Sequence, residues 1–255
     1  MSGPEAGGQG GSAGAGAAGR GADRDGNAAG MPASYRVVVL VSGSGSNLQA
    51  LIDRLHGRVA GIEIVLVISN VPGVMGLTRA ERAGIPTAVF RADDYRSREE
   101  RDRAMGDAIE AVSADLIVGA GYMHILTPSF VQRFPHRIIN LHPALLPSFP
   151  GHSAFQEAID YGVKVTGVTV HFIDEGVDSG PVIAQEPVRV RDDDTADTLA
   201  ERIHLVEHRV LPRVVELMAR KKVTPPRAGS RLVRVEDERE PEYGRGLAVD
   251  ASATG

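Results

Sequence analysis

The segment from Tyr35 to Gly43 reads YRVVVLVSG, an apolar, β-branched run that stops on a glycine. A strand of this kind has no polar face to give to water, so it belongs inside a parallel sheet covered on both sides. The residues after it, SNLQALIDRL, place Leu48, Leu51, Ile52 and Leu55 at helical spacing. The same alternation continues. EIVLVISN (Glu63–Asn70) reads as a second buried strand, GLTRAERAG as a helix stopped by Gly84, and PTAVF as a short strand. RSREERDRAMGDAIEAVSA is a long amphipathic helix with Met105, Ile109 and Val112 inward, and DLIVGAGY (Asp115–Tyr122) is a third strong strand. RIINLHP reads as a fourth strand and FQEAIDYG as a helix. VTGVTVHFID alternates as an antiparallel or edge strand would, and PVIAQEPVRV follows it as another strand. A long last helix runs through ADTLAERIHLVEHRVLPRVVELMAR, with a kink expected near Pro212. Strand–helix alternation predicts an α/β fold with a doubly wound, mostly parallel open sheet. In such sheets ligands sit at the carboxyl ends of the strands. That directs attention to the loops Ser42–Asn47, Ser69–Gly76, Gly119–Thr127 and Asn140–Pro150.

Composition limits the chemistry. The chain has 255 residues, net charge -5 and no cysteine. Disulfides, thiolate zinc sites, iron–sulfur clusters and cysteine nucleophiles are therefore excluded. The acidic balance argues against a nucleic-acid binder, and no apolar run approaches the roughly 18 residues of a membrane span. A cysteine-free chain suits a reducing cytoplasm. Residues 1–30 hold 11 Gly and 8 Ala and no Val, Ile, Leu, Phe or Tyr. They cannot bury enough apolar surface to offset their ordering entropy. We expect a disordered tail over 1–33, one domain over 34–223, and a largely irregular tail over 224–255 carrying one short strand near Leu232–Val235. Met31 is a candidate initiator within this boundary.

Three loops carry chemistry. SGSGSN (Ser42–Asn47) joins the first strand to the first helix, and a helix N-terminus offers free N–H groups to an anion such as a phosphate. It does not read as a dinucleotide fingerprint, because Leu48 occupies the third glycine position and only Ser69 and Asn70 follow the second strand. NLHPALLPSFPG (Asn140–Gly151) puts Asn140 and His142 on one face of a strand end, stiffened by Pro143, Pro147 and Pro150. An amide and an imidazole there suit stabilisation of an oxyanion and movement of a proton. HFIDEGVDSGPV carries Asp174, Glu175 and Asp178. A carboxylate facing His142 would orient the ring, and spacing alone does not choose Asp178 over Asp174. No metal site is expected. His204 and His208 are i, i+4 on the last helix but lack an HExxH pattern, and read as surface or substrate-facing residues.

Taken together, VVVLVSGSGSNLQALID, VISN, GAGYMHILTPSFV, IINLHPALLPSFPG, GVTVHFIDEGVDSGPVIAQ and ERIHLVEHRVLP resemble the folate-dependent phosphoribosylglycinamide formyltransferases of purine synthesis, from Arg36 to Val223. The resemblance implies the Rossmann-like formyltransferase fold. It also implies formyl transfer from the co-substrate 10-formyltetrahydrofolate to the amine of glycinamide ribonucleotide, through a tetrahedral intermediate and without a metal. Asn140, His142 and Asp178 would be catalytic. Gly45, Ser46 and Asn47 would hold the phosphate, and Glu207, with His204 beside it, the rest of the ribonucleotide. Folate would lie against Arg98, Met123, His124, Ile125, Leu126, Asn140 and the backbone of the loop beginning at Asp174.

Three positions depart from the family pattern: His124 where Arg is frequent, Phe155 where His is common, and His204 in place of Lys or Gln. The implied partners are the two small molecules, with neither nucleic acid nor membrane; a homodimer is the assembly to test. Two relatives share the catalytic set. Methionyl-tRNA formyltransferases add a C-terminal RNA-binding domain, for which the residues after Val223 are too few and too acidic. Formyltetrahydrofolate hydrolases carry an N-terminal regulatory domain that residues 1–33 would not supply. A non-catalytic nucleotide-binding module would leave Asn140, His142 and Asp178 without a shared purpose.

Overall fold

The computed structural model describes residues 34–237; the Gly/Ala-rich segment 1–33 and residues 238–255 lie outside the described part. Seven strands form one sheet in the order β3-β2-β1-β4-β5-β6-β7. They are β1 (Tyr35–Val41), β2 (Ile62–Ser69), β3 (Thr87–Val89), β4 (Leu116–Gly119), β5 (Ile138–His142), β6 (Val165–Phe172) and β7 (Val182–Arg189). The first five run parallel, and β6 and β7 are antiparallel to their neighbours. The helices are α1 (Ser46–Arg54), α2 (Met75–Arg82), α3 (Arg98–Ala111), α4 (Pro128–Arg133), α5 (Ala154–Tyr161) and α6 (Ala196–Ala219).

The alternation of β1 decides which helices cover which face. Val37, Val39 and Val41 join one core with Leu48 and Leu51 of α1, Leu77 of α2 and Leu199, Ile203 and Val210 of α6. Val38 and Leu40 join a second core with Met105 and Ile109 of α3 and Phe130 of α4. Each side chain from Val37 to Val41 is thus buried, as the apolar run requires. Local signals agree with the ends of the long helices. The Ser97 hydroxyl accepts from Glu100 N at 3.2 Å to cap α3. Thr195 and Thr198 close a reciprocal box at the start of α6.

Three features sharpen or add to the sequence expectations. Of the two alternatives that its alternation left open, β6 takes the antiparallel one: it lies between β5 and β7 and is buried from Thr166 to Phe172. α4 was not foreseen, because its six residues are too few to display a helical period. Beyond Val223 the short strand expected near Leu232–Val235 is present over Arg234–Val235 and has a partner. Val223–Thr224 (β8) pairs antiparallel with Arg234–Val235 (β9), and Val233 and Val235 pack on the larger core. Apolar residues spaced two apart gave that segment a face to bury. Pro212 sits inside α6, which continues through it to Ala219.

Candidate active site

β5 runs two residues beyond its last pairing with β4, so His142 lies past the end of β4 while still pairing with Thr169 of β6, and Asn140 pairs with Gly119. Ile139 and Leu141 face the larger core, which turns Asn140 and His142 to the α3–α4 face. There a cleft of about 200 Å³ opens between the β4–α4 loop, the end of β5 and the β6–β7 loop. Asn140 has a demanding neighbour in Gly119: a Cβ there would stand 2.7 Å from Asn140 Oδ1. The absence of a side chain at Gly119 makes room for the amide.

Asp178 is the carboxylate that the fold delivers to this strand end. Its Oδ2 lies 3.3 Å from His142 Nδ1 and accepts the Gly151 backbone N–H at 2.8 Å. Its Oδ1 accepts from Asn140 Nδ2 at 3.3 Å and lies 3.6 Å from His171 Nε2. Partial burial pushes the Asp178 carboxyl up, but the His171 imidazole, the Gly151 N–H and the nearby His142 outweigh it and hold the group at about 2. Asp178 is therefore ionised throughout the neutral range. His142 Nε2 lies 2.7 Å from the Phe149 carbonyl oxygen. Each ring nitrogen of His142 thus lies near an acceptor oxygen, Asp178 Oδ2 on one side and Phe149 O on the other. Asp174, the alternative left open by spacing, braces its own loop instead. Its Oδ1 accepts from Ser179 Oγ at 2.6 Å and from Gly176 N at 3.1 Å.

His171 belongs to this constellation although sequence reasoning passed over it. It pairs directly across from Asn140 on β6, is 1% exposed, and brings Nε2 to 3.4 Å from Asn140 Nδ2. The signal was available: once β6 is antiparallel to β5, a histidine at that register falls beside the asparagine. Ser42 was also missed as a coupling residue. Its hydroxyl donates to Asn70 Oδ1 at 2.5 Å and accepts from Met123 N at 2.8 Å, tying the ends of β1 and β2 to the cleft loop.

The cleft loop presents apolar side chains outward. Met123 is 58% exposed and Ile125 50%, while Leu126 is buried; all three line the cleft together with His124, Asp174 and Phe155. Arg98 is at the rim rather than the interior, where its Nη2 donates to Ile125 O at 2.7 Å.

The residues assigned to the ribonucleotide form a neighbouring cluster. Glu207 is 4% exposed; its Oε2 accepts from Asn47 Nδ2 at 2.9 Å and lies 2.8 Å from His204 Nδ1. The bond to Glu207 raises the His204 pKa. Asn47 Oδ1 is buried without a hydrogen-bond partner. Phe155, which lines the cleft, meets the His204 ring edge-on at 6.0 Å between centroids, so cluster and cleft adjoin. Gly45 and Ser46 open α1 beside them, and Gly45 has a packing role of its own. Its φ is 68°, and a Cβ would lie 2.6 Å from Gly76 Cα, so the bare backbone seats the loop on the start of α2. Among the described residues no group of His, Cys, Asp and Glu could hold a metal ion. None of their helices is long and apolar enough to cross a membrane.

Comparison with known proteins agrees with this geometry. Residues 35–215 match the family described as formyl transferase. The human trifunctional purine biosynthetic protein adenosine-3 is 48% identical over 184 residues, which are 72% of this chain and 18% of that protein. The chain thus spans less than a fifth of the length of that relative and of its bovine counterpart. The phosphoribosylglycinamide formyltransferase of Mycobacterium tuberculosis is 43% identical over 192 residues, covering 75% of this chain and 88% of that protein. The crystal structure of glycinamide ribonucleotide transformylase 1 from Symbiobacterium toebii superposes with a TM-score of 0.77 at 39% identity, over 84% of this chain and 100% of that one. With the matched region running from the first strand into the last helix, and Asn140, His142 and Asp178 gathered within it, the chain belongs to the formyl transferase family.

Proposed function

We propose that this chain transfers a formyl group from 10-formyltetrahydrofolate to the amine of glycinamide ribonucleotide, a step of purine synthesis. The observation that carries this is the meeting of Asn140, His142 and Asp178 at 3.3 Å spacings beside a cleft with exposed apolar walls. The residues fit both substrates. Met123, Ile125 and Leu126 offer the apolar surface a flat heteroaromatic ring needs. The N-terminus of α1, the orphaned Asn47 Oδ1 and the buried Glu207 offer donors and acceptors for a phosphorylated sugar.

The folate supplies the formyl carbon. The substrate amine adds to that carbon, and negative charge grows on the formyl oxygen. Asn140 Nδ2 and His142 Nε2 donate to that oxygen, which takes the acceptor place now held by Phe149 O. A donor of this kind is worth about 2.7–4 kcal/mol of barrier. Asp178 fixes the imidazole through Nδ1 and, already ionised, receives the proton that the amine sheds, directly or through water. The folate nitrogen leaves after gaining a proton. Holding the two reactants together contributes on the order of 7–11 kcal/mol in well-oriented cases.

The test is the absorbance of folate released from a 10-formyl folate analogue, with and without glycinamide ribonucleotide. Release that requires the ribonucleotide is expected; His142→Ala and Asp178→Asn should slow it while leaving ribonucleotide binding largely intact. Release with water alone would identify a hydrolase. No release in either case, or normal turnover by either variant, would overturn the assignment.

A further inference from the structure

Arg101 and Asp102 are neighbours on α3, and each is 1% exposed. A fully buried arginine demands partners for its donors. Arg101 Nε and Nη2 donate to Asp102 Oδ1 at 3.1 and 2.8 Å. Its Nη1 lies 2.7 Å from His124 Nδ1. The other oxygen of Asp102 accepts the Thr127 backbone N–H at 2.8 Å. The pair therefore grips the cleft loop at two points, His124 and Thr127, on either side of Ile125 and Leu126.

The chemistry of the Arg101–His124 contact is one-sided. A guanidinium has only donors, so Nδ1 of His124 must accept, and the ring's single proton sits on Nε2. A protonated His124 would turn a donor and a second positive charge toward Arg101. We propose that Arg101 is a positioning residue: braced by Asp102, it sets the folate-facing loop through His124, and the loop keeps this arrangement only while His124 is neutral.

The charged and titratable groups around the ring are Arg98, Arg101 and Asp102 of α3, with Tyr122 of the loop itself at 6.0 Å between ring centroids. Burial lowers the His124 pKa from 6.5, the charges of Arg101 and Arg98 lower it further, and Asp102 opposes them. The neutral ring is thus the resting form at neutral pH. Acid below that lowered pKa releases the loop.

The inference rests on the folate reading of the cleft for its kinetic test alone. The KM for the 10-formyl folate analogue is measured from pH 5 to 8 on the full chain. Below the His124 pKa the competent fraction falls about tenfold per pH unit, so KM should rise by the same factor. His124→Asn puts an amide oxygen where Nδ1 stands and cannot titrate. Whatever its KM at neutral pH, its acid-limb rise should be lost. Arg101→Met should raise the folate KM more than it lowers kcat, and Arg101→Lys should recover part of the loss.

Because Arg101→Met leaves a buried carboxylate unpaired and can fail to fold, a measurement on the unaltered protein accompanies it. Imidazole 15N shifts should give His124 as the Nε2–H tautomer with a pKa below 6.5. An Nδ1–H tautomer would overturn the proposal. So would a His124→Asn profile with the original slope, or a folded Arg101→Met protein with unchanged folate KM. Should the protein neither bind nor turn over folate, the functional assignment falls, while the nitrogen shifts still decide how Arg101 and His124 are arranged.

Discussion

Gly119→Ala is the substitution that most directly tests whether the Asn140 amide must sit where it does. The added methyl would stand 2.7 Å from Asn140 Oδ1, about 0.7 Å inside an ordinary 3.4 Å contact. The site is closed: β4 is buried along its length and held between β1 and β5, so the amide must give way rather than the strand. A shift of that amount directed away from Asp178 would carry Nδ2 from 3.3 Å to about 4 Å from Asp178 Oδ1, beyond hydrogen-bond range. It also takes the donor off the line to the developing oxyanion. Loss of such a donor corresponds to about 10²–10³ in kcat.

Overpacking a buried site costs about 1–3 kcal/mol of stability, so urea unfolding should accompany the kinetics. The decisive assay is a double-mutant cycle read in kcat. If Gly119→Ala acts through Asn140, then Gly119→Ala/Asn140→Ala should be no slower than Asn140→Ala alone. A Gly119→Ala enzyme with unaltered kcat would refute the reasoning. So would a double variant slower than Asn140→Ala by the full factor of the glycine change.

Three further outcomes follow from the geometry. Asp178 has a pKa lowered from 3.8 to about 2 in the folded protein, so its stabilising contribution is present above pH 3.8 and disappears as pH falls through 2. The urea stability gap between the unaltered protein and Asp178→Asn should therefore be full at pH 6 and shrink below pH 4; a gap that widens in acid contradicts the assignment. Glu207→Ala removes the acceptor of Asn47 Nδ2 in a buried setting, a loss of about 1–3 kcal/mol. It should also raise the ribonucleotide KM more than the folate KM, and an equal effect on both would separate Glu207 from the sugar site. Arg231, beyond the matched family region, donates from Nη2 to the carbonyl oxygens of Ser179 and Gly180. Arg231→Ala should speed amide exchange and proteolysis in the loop that carries Asp178, and unchanged protection there would mean the C-terminal ribbon does not brace it.

Periodicity alone was enough for the scaffold and for two of the three residues proposed for catalysis. The β-branched run of β1 has no face that tolerates water, so the double cover of helices was already implied in its residues. Strand alternation likewise put Asn140 and His142 on one face before any fold was known. What sequence could not decide was everything that depends on contacts between distant segments. Asp174 and Asp178 are equivalent in composition and nearly so in position; only the closure of the β6–β7 loop onto Gly151 sends one to His142 and the other to Ser179. His171 and Gly119 acquire meaning from the register of β5 against its two neighbours, a quantity set by pairing across 31 and 21 residues of chain, as Asn140 faces each of them. Gly45, which the resemblance places in the phosphate loop, also seats one helix start on another. Arg101, read only as part of a long amphipathic helix, is buried where Asp102 and His124 meet its donors. A residue's own chemistry and its near neighbours determine whether it will be helix, strand or turn. Which polar group it will face is decided by packing, and packing is a property of the whole sheet.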